Sequence, residues 1–145
     1  MPASVAAYSD RVLRTVRVPC VGAVVHDDDH RLLVVRRVNP PGAGRWSLPG
    51  GRVEGAESDL DAVRREVLEE TGLIVAVGVR VGTVEIPAGD LVFDVRDYAC
   101  APLGGDLVAG DDADAVRWVS RAELLQLDVV PGLIDTLSSW GVLPA

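Results

Sequence analysis

The sequence has only two cysteines, Cys20 and Cys100, and neither belongs to a CxxC pair or a Cys/His cluster. That argues against a disulfide framework or a thiolate metal site and leaves both as reduced core thiols. Long apolar runs are missing as well. No stretch approaches the roughly 18–20 apolar residues of a membrane span, and the first residues carry acid and arginine where a secretory signal needs an apolar run. The expected location is therefore the cytoplasm, with no membrane partner. Basic stripes are also absent, and the net charge of −8 repels the backbone of DNA or RNA, so no nucleic-acid polymer is expected as a partner. Small phosphorylated ligands stay compatible with this charge if a cation bridges them. There is no internal repeat, low-complexity tract or linker.

What is present is 145 residues, 48% of them apolar, enough for one core and short for two. The expectation is a single domain over residues 1–145, with residues 1–14 loosely held. The runs "VRVPCVGAVV" and "RLLVVRRV" read as strands joined through the polar "HDDDH" as a hairpin. His26 and His30 beside three aspartates read as a solvated turn rather than a metal site. "NPPGAGR" is a loop by its prolines and glycines, and "WSLP" a brief extended piece. Beyond the central helix, "LIVAVGVRVGTVEI", "DLVFDVRDYACAP" and "AVRWVS" read as strands, the first two joined by a turn at "PAGD". "RAELLQL" and "PGLIDTLSSW" read as helices, the second with proline at its start.

The stretch "RREVLEETG" poses a physical problem. Glu66, Glu69 and Glu70 fall within two turns at the C-terminal end of the central helix, where the macrodipole is already negative. Crowding and dipole together cost about 1–2 kcal/mol. Ser58 with Asp61 three residues later predicts a capping box and a start near Asp59, and Gly72 a left-handed stop. At about 100° per residue, Leu60, Val63 and Val67 form the stripe that packs on a sheet, and the three glutamates lie beside it. Arg65 is spaced to reach Glu69; Arg64 points elsewhere. A hard divalent cation such as Mg²⁺ would offset the repulsion and still accept phosphate oxygens; a decorative charged face is the alternative reading of the spacing. "LPGGRVEGAE" places Gly50 and Gly51 just ahead of this helix, where backbone approaches a ligand closely. Arg36, Arg37, Arg45 and Arg52 are near enough in sequence to bring cations for a pyrophosphate.

Gly51, five residues, Glu57, seven residues, then Arg65-Glu66-Val67-Leu68-Glu69-Glu70-Thr71-Gly72-Leu73 resembles the complete signature of the Nudix hydrolases, GX5EX7REUXEEXGU. Similarity to MutT-like members extends upstream through "VGAVV", "LLVVRR" and "WSLPGG" and thins downstream to "VRWVS". The resemblance implies an α/β fold, an α/β/α sandwich with a mixed β-sheet. It implies that Glu66, Glu69 and Glu70 bind Mg²⁺, with Mn²⁺ as a substitute and the Gly50 carbonyl as a further ligand. Arg65 then positions the glutamates and Glu57 braces the loop, while Arg37 and Arg52 contact substrate phosphates. The proton acceptor is Glu69 or an outlying acid at Asp112, with Asp111 and Asp114 as competitors and a solvated acidic loop as the alternative. Trp46 is placed either to stack on a base at the cleft edge or to pack, and Trp118 belongs to the core.

The implied reaction is hydrolysis of a phosphoanhydride in a nucleoside diphosphate linked to a group X, on a small-molecule nucleotide, with a homodimer left open. Leu133 stands where MutT-like readers of oxidised guanine carry asparagine. Pro87 lies near the position of the proline in ADP-ribose-cleaving relatives, so an ADP-ribose-like substrate is narrowly preferred. A MutT-like (d)NTP pyrophosphohydrolase is the alternative. A non-catalytic nucleotide-sensing module is the more distant one, since such modules usually show eroded glutamates and these are intact.

Overall fold

The computed structural model describes residues 15–40, 42–110 and 113–145. The expectation for residues 1–14 lies outside them. In chain order the elements are β1 (Val16–Val25), β2 (Leu32–Arg37), β3 (Trp46–Ser47), β4 (Gly50–Arg52), α1 (Asp59–Thr71), β5 (Leu73–Ala88), β6 (Leu91–Gly105), β7 (Ala113–Val119), α2 (Arg121–Gln126) and α3 (Leu133–Ser139).

Two sheets form the centre. The larger has the order β4-β1-β6-β5, with β1 and β6 parallel and the other pairs antiparallel; the smaller, β3-β2-β7, is antiparallel throughout. Alternation along β1 and β2 explains the layering. Val21, Ala23, Val25 and Leu33 pack with Ala62, Val63 and Val67 of α1, whereas Val24, Leu32 and Val34 pack with Leu124 of α2 and Leu133 and Leu137 of α3. Helices thus cover both sides of the strands, the expected α/β/α sandwich with a mixed sheet. Each of the buried valines of α1 contributes about 1.5–3 kcal/mol.

Several local expectations change. The segment at 26–30 does reverse the chain, with Asp27 and Arg31 bonded through their backbones, but β1 and β2 share only the isolated bridge His26↔Leu32. Their edges are taken by β4 and β6 on one strand and by β3 and β7 on the other, so the pair divides between sheets instead of forming a hairpin ladder. Leu60 is 39% exposed, and the buried stripe of α1 is instead Ala62, Val63, Val67 and Thr71. The Thr71 hydroxyl donates to the Val67 carbonyl at 2.6 Å, which lets a polar residue take the last buried position. Ser58 accepts from the Asp61 amide at 3.2 Å, giving only half the capping box, because the Asp61 carboxylate turns to Arg64. The full box forms at α2, between Ser120 and Glu123. Pro131 precedes the last helix, whose N-cap is Gly132.

Gly72 closes α1 as expected, in the left-handed region at φ 78° with its N–H bonded to the Leu68 carbonyl. A Cβ there would also strike the Asp106 carbonyl, so the stop is fixed by packing as well as by φ. It releases the chain directly into β5, which orients α1 against the larger sheet and its glutamates toward β4.

Candidate active site

The glutamate face of α1 lies against the glycine pair of β4. A Cβ on Gly51 would stand 2.6 Å from the Glu66 carboxyl carbon, so only glycine lets the carboxylate lie on the strand. The Gly50 N–H points at Glu70 Oε2, 3.4 Å away. Glu66, Glu70, Gly50 and Gly51 together with Arg37, Arg52, Val35 and Asn39 line one cleft of about 270 Å³.

Arg65 holds this face together, using all five of its N–H donors. Its Nε and Nη2 grip Glu57 bidentately at 2.7 and 2.9 Å, Nη1 donates to Glu66 at 2.8 Å and to Glu69 at 3.2 Å, and Nη2 also reaches the Arg52 carbonyl at 3.0 Å. One side chain therefore ties the loop ahead of the helix, two glutamates and β4 into a unit. The Arg65 contact and the Glu54 amide hold the Glu57 carboxyl down at about 2. Glu66 moves the other way: burial raises its pKa, only partly countered by Arg65. The like charges are thus kept apart by unequal environments, one carboxylate saturated with donors and another desolvated.

Most of the sequence-predicted residues come together, and some do not. Arg37 and Arg52 face Glu66 and Glu70 across the cleft. Arg36 does not join them; it bonds Asp114 at 2.6 Å on the β2–β7 surface, because neighbours on a strand point to opposite faces. That contact also engages Asp114 and lowers its pKa. Arg45 pairs with Asp128 at 3.7 Å, away from the cleft lining. Asp111 and Asp112 lie outside the described residues. Trp46 is 7% exposed in the second core, with Arg36 and Arg117 over its ring at 5.7 and 5.8 Å, and is absent from the cleft. Asn39 lines the cleft and was not singled out from the sequence; its position just after "VVRRV" was its only signal.

Among the described residues no three acids converge into a ready metal cluster. Glu66 is committed to Arg65, Glu70 approaches the Gly50 amide, and Glu69 turns to Arg65 with 57% of its side chain exposed. The donor set nevertheless fits a hard divalent cation: two carboxylates, one of them desolvated, face a cleft shared with a glycine backbone.

An α/β sandwich with arginines facing a glutamate helix across a glycine strand defines a protein built to handle anionic oxygens. A family model described as NUDIX domain matches residues 16–139. The chain is 45% identical over 104 residues to a Mycobacterium tuberculosis protein named "Putative 8-oxo-dGTP diphosphatase 2", covering 69% of this chain and 72% of that one. It is 38% identical over 109 residues to an ADP-ribose pyrophosphatase of Methanocaldococcus jannaschii, covering 74% and 61%. Among solved structures, the MutT protein of Methanosarcina mazei superposes with a TM-score of 0.77 at 25% identity, covering 88% and 94%. The chain belongs to the Nudix hydrolase family, enzymes acting on phosphorus-containing acid anhydrides. Among the described residues no helix is long and apolar enough to cross a membrane.

Proposed function

We propose that the cleft hydrolyses the phosphoanhydride of a nucleoside diphosphate linked to a group X, adding water to give a nucleoside monophosphate and phosphorylated X. The observation that carries this reading is the pairing of Arg37 and Arg52 with Glu66 and Glu70 in one small cleft. Their formal charges cancel, so the cleft alone has little pull on a diphosphate; a bound divalent cation leaves it net positive and complementary.

Glu66 and Glu70 would hold that cation, Mg²⁺ with Mn²⁺ as a substitute, joined by Glu69 and the Gly50 carbonyl. The cation supplies charge neutralisation at phosphate oxygens and Lewis-acid activation of water. The protein's own residues do the rest. Arg37 and Arg52 orient the diphosphate, Arg65 fixes Glu66, and Glu57 fixes Arg65. Glu69, the most exposed of the three helix glutamates and held there by a single hydrogen bond from Arg65, takes the proton of the attacking water.

The preference for ADP-ribose is narrow. Pro87 lies on β5, paired with Val92 of β6, next to the Phe93 ring over which the Arg52 guanidinium sits. A nucleoside triphosphate, in which X is phosphate, is the second reading, favoured by likeness to proteins named for 8-oxo-dGTP and, in Escherichia coli, CTP pyrophosphohydrolase. The test is a panel of ADP-ribose, dGTP, 8-oxo-dGTP, CTP and dinucleoside polyphosphates at equal Mg²⁺, read as kcat/KM. Turnover of at least one member is expected. Binding without turnover of any would overturn the hydrolase reading in favour of a nucleotide-sensing module.

A further inference from the structure

We propose that Asp59, clamped by Arg96 and Tyr98 of β6, is a positioning residue for the cation site: it sets the roll of α1 and with it the approach of Glu66 and Glu70 to Gly50 and Gly51. The inference rests on the cation site proposed above and names a group outside it on which its geometry depends.

Asp59, Glu66 and Glu70 share one line on the helix. Glu66 follows Asp59 by seven residues and Glu70 by eleven, so at about 100° per residue both fall within about 20° of it. A roll of α1 that carried the two glutamates away from β4 would therefore carry Asp59 away from its partners as well. Those partners are strong ones. Arg96 grips the Asp59 carboxylate bidentately, Nε donating to Oδ2 at 2.9 Å and Nη2 to Oδ1, and the Tyr98 hydroxyl donates to Oδ2 at 2.7 Å. The pair is partly buried, and the Arg96 contact holds the Asp59 carboxyl below the usual carboxylate range, so it stays ionised.

The sheet links this clamp to the cleft. Val21 of β1 pairs with Arg96 on one side and with Gly51 on the other. The two points that α1 meets, Arg96 under Asp59 and Gly51 under the Glu66 carboxylate, thus lie on one rung, about 10 Å apart across two strand spacings. Asp59 and Glu66 are about 10.5 Å apart along the helix axis. The two lengths match, so both acids reach their counterparts at once. Asp97, between Arg96 and Tyr98, turns to the opposite face of the sheet and takes no part.

Apolar packing alone defines this roll weakly. The residues that α1 buries are small, Ala62, Val63, Val67 and Thr71, while Leu60 in its first turn is exposed. Small side chains form low ridges, and low ridges resist turning poorly. Directional hydrogen bonds supply what they lack. Arg65 ties α1 to Glu57 and to the Arg52 carbonyl of β4 at one point. Asp59, nearly two turns earlier, adds the second point, and a helix held at two points cannot pivot about either.

The test uses Asp59→Asn, which keeps the shape and removes the charge, and Tyr98→Phe, which removes one hydroxyl. Arg17→Met is the control, since it breaks the exposed Arg17–Glu85 pair on the same sheet. Amide NMR of the metal-free proteins in EDTA is the first readout and titration with Mn²⁺ the second, both at a temperature where every variant is folded. The Gly50 and Gly51 amide resonances are expected to move in both clamp variants and to stay in the control. The Kd for Mn²⁺ is expected to rise about tenfold in Asp59→Asn and about threefold in Tyr98→Phe, with no change in Arg17→Met. A salt bridge that merely stabilises the fold would lower the melting temperature and leave both readouts alone. Glycine amides that stay in place in Asp59→Asn would overturn the proposal, and so would an unchanged Kd in that variant. Failure of the unaltered protein to bind Mn²⁺ would count against the cation site itself, because the glycine amides decide the clamp without metal.

Discussion

The two faces of the larger sheet treat carboxylates in opposite ways. On the α1 face, Glu57 is gripped by two guanidinium donors and held down at about 2, while Glu66 shares the same guanidinium. On the other face Asp97 is buried with no donor among the described residues and pushed up to about 6. One residue class, separated by a single layer of strands, is stabilised in one place and strained in the other. The lesson is that acid content alone does not describe such a site. Glu57 is a brace because its partner is built in, whereas burial works against the charge of Glu66 and of Asp97, the kind of environment that perturbs acids at functional sites.

The largest effect expected of breaking this contrast is at the helix. Glu66→Gln and Glu70→Gln should each lower kcat by about 100-fold or more while the fold persists, because shape is kept and charge removed. For Glu66 the stability sign runs opposite to activity. Its raised pKa means that the folded state disfavours ionisation, so stability falls as pH rises above its ordinary value, and the glutamine variant should melt no lower than the unaltered protein at neutral pH. Thermal melts alongside kinetics check both halves.

Asp97→Asn comes next. A shift from 3.8 to about 6 means that the folded protein binds the proton more tightly, so stability is full below about pH 4 and is lost as pH rises through 6. The variant should therefore be more stable above pH 6, by about 3 kcal/mol at most, and indistinguishable near pH 3.5. Denaturation at several pH values reads the difference directly.

Glu57→Gln should have the smallest effect and the opposite pH dependence. Its depressed pKa contributes stability that is present above about 4.5 and lost as pH falls toward 2. The gap between unaltered protein and variant should be constant at neutral pH and close only in acid. Turnover should fall less than in Glu66→Gln, since Glu57 acts through Arg65.

The α1 site was legible from sequence because its information is local: spacing from Gly51 to Leu73 places three glutamates, an arginine and a glycine stop on one helix and its entry loop. What was not legible depended on pairing between distant strands. Spacing alone brings Arg36 as near to the site as Arg37, and only the pairing of β2 with β7 gives Arg36 its partner Asp114 on the other face. Trp46 reads equally as a stacking or a packing residue until its neighbours in the second core are known. Leu60 fits the helical stripe by period, but the stripe rotates toward Ala62 and Thr71 where β5 leaves the helix. Asp97 looks like one charge in an alternating strand, and only the register brings Gly22 and Gly82 to its sides.

The central claim is that the glutamate face of α1 tolerates its charge because it binds a cation. The most direct measurement is the melting temperature of the unaltered protein and of Glu66→Gln across a Mg²⁺ titration from EDTA to millimolar. A ligand of the native state alone adds about 2.7 kcal/mol at 100 times its Kd. The unaltered protein should therefore gain several degrees, with the variant nearly flat. Equal shifts in both proteins, or no shift in either, would contradict the account.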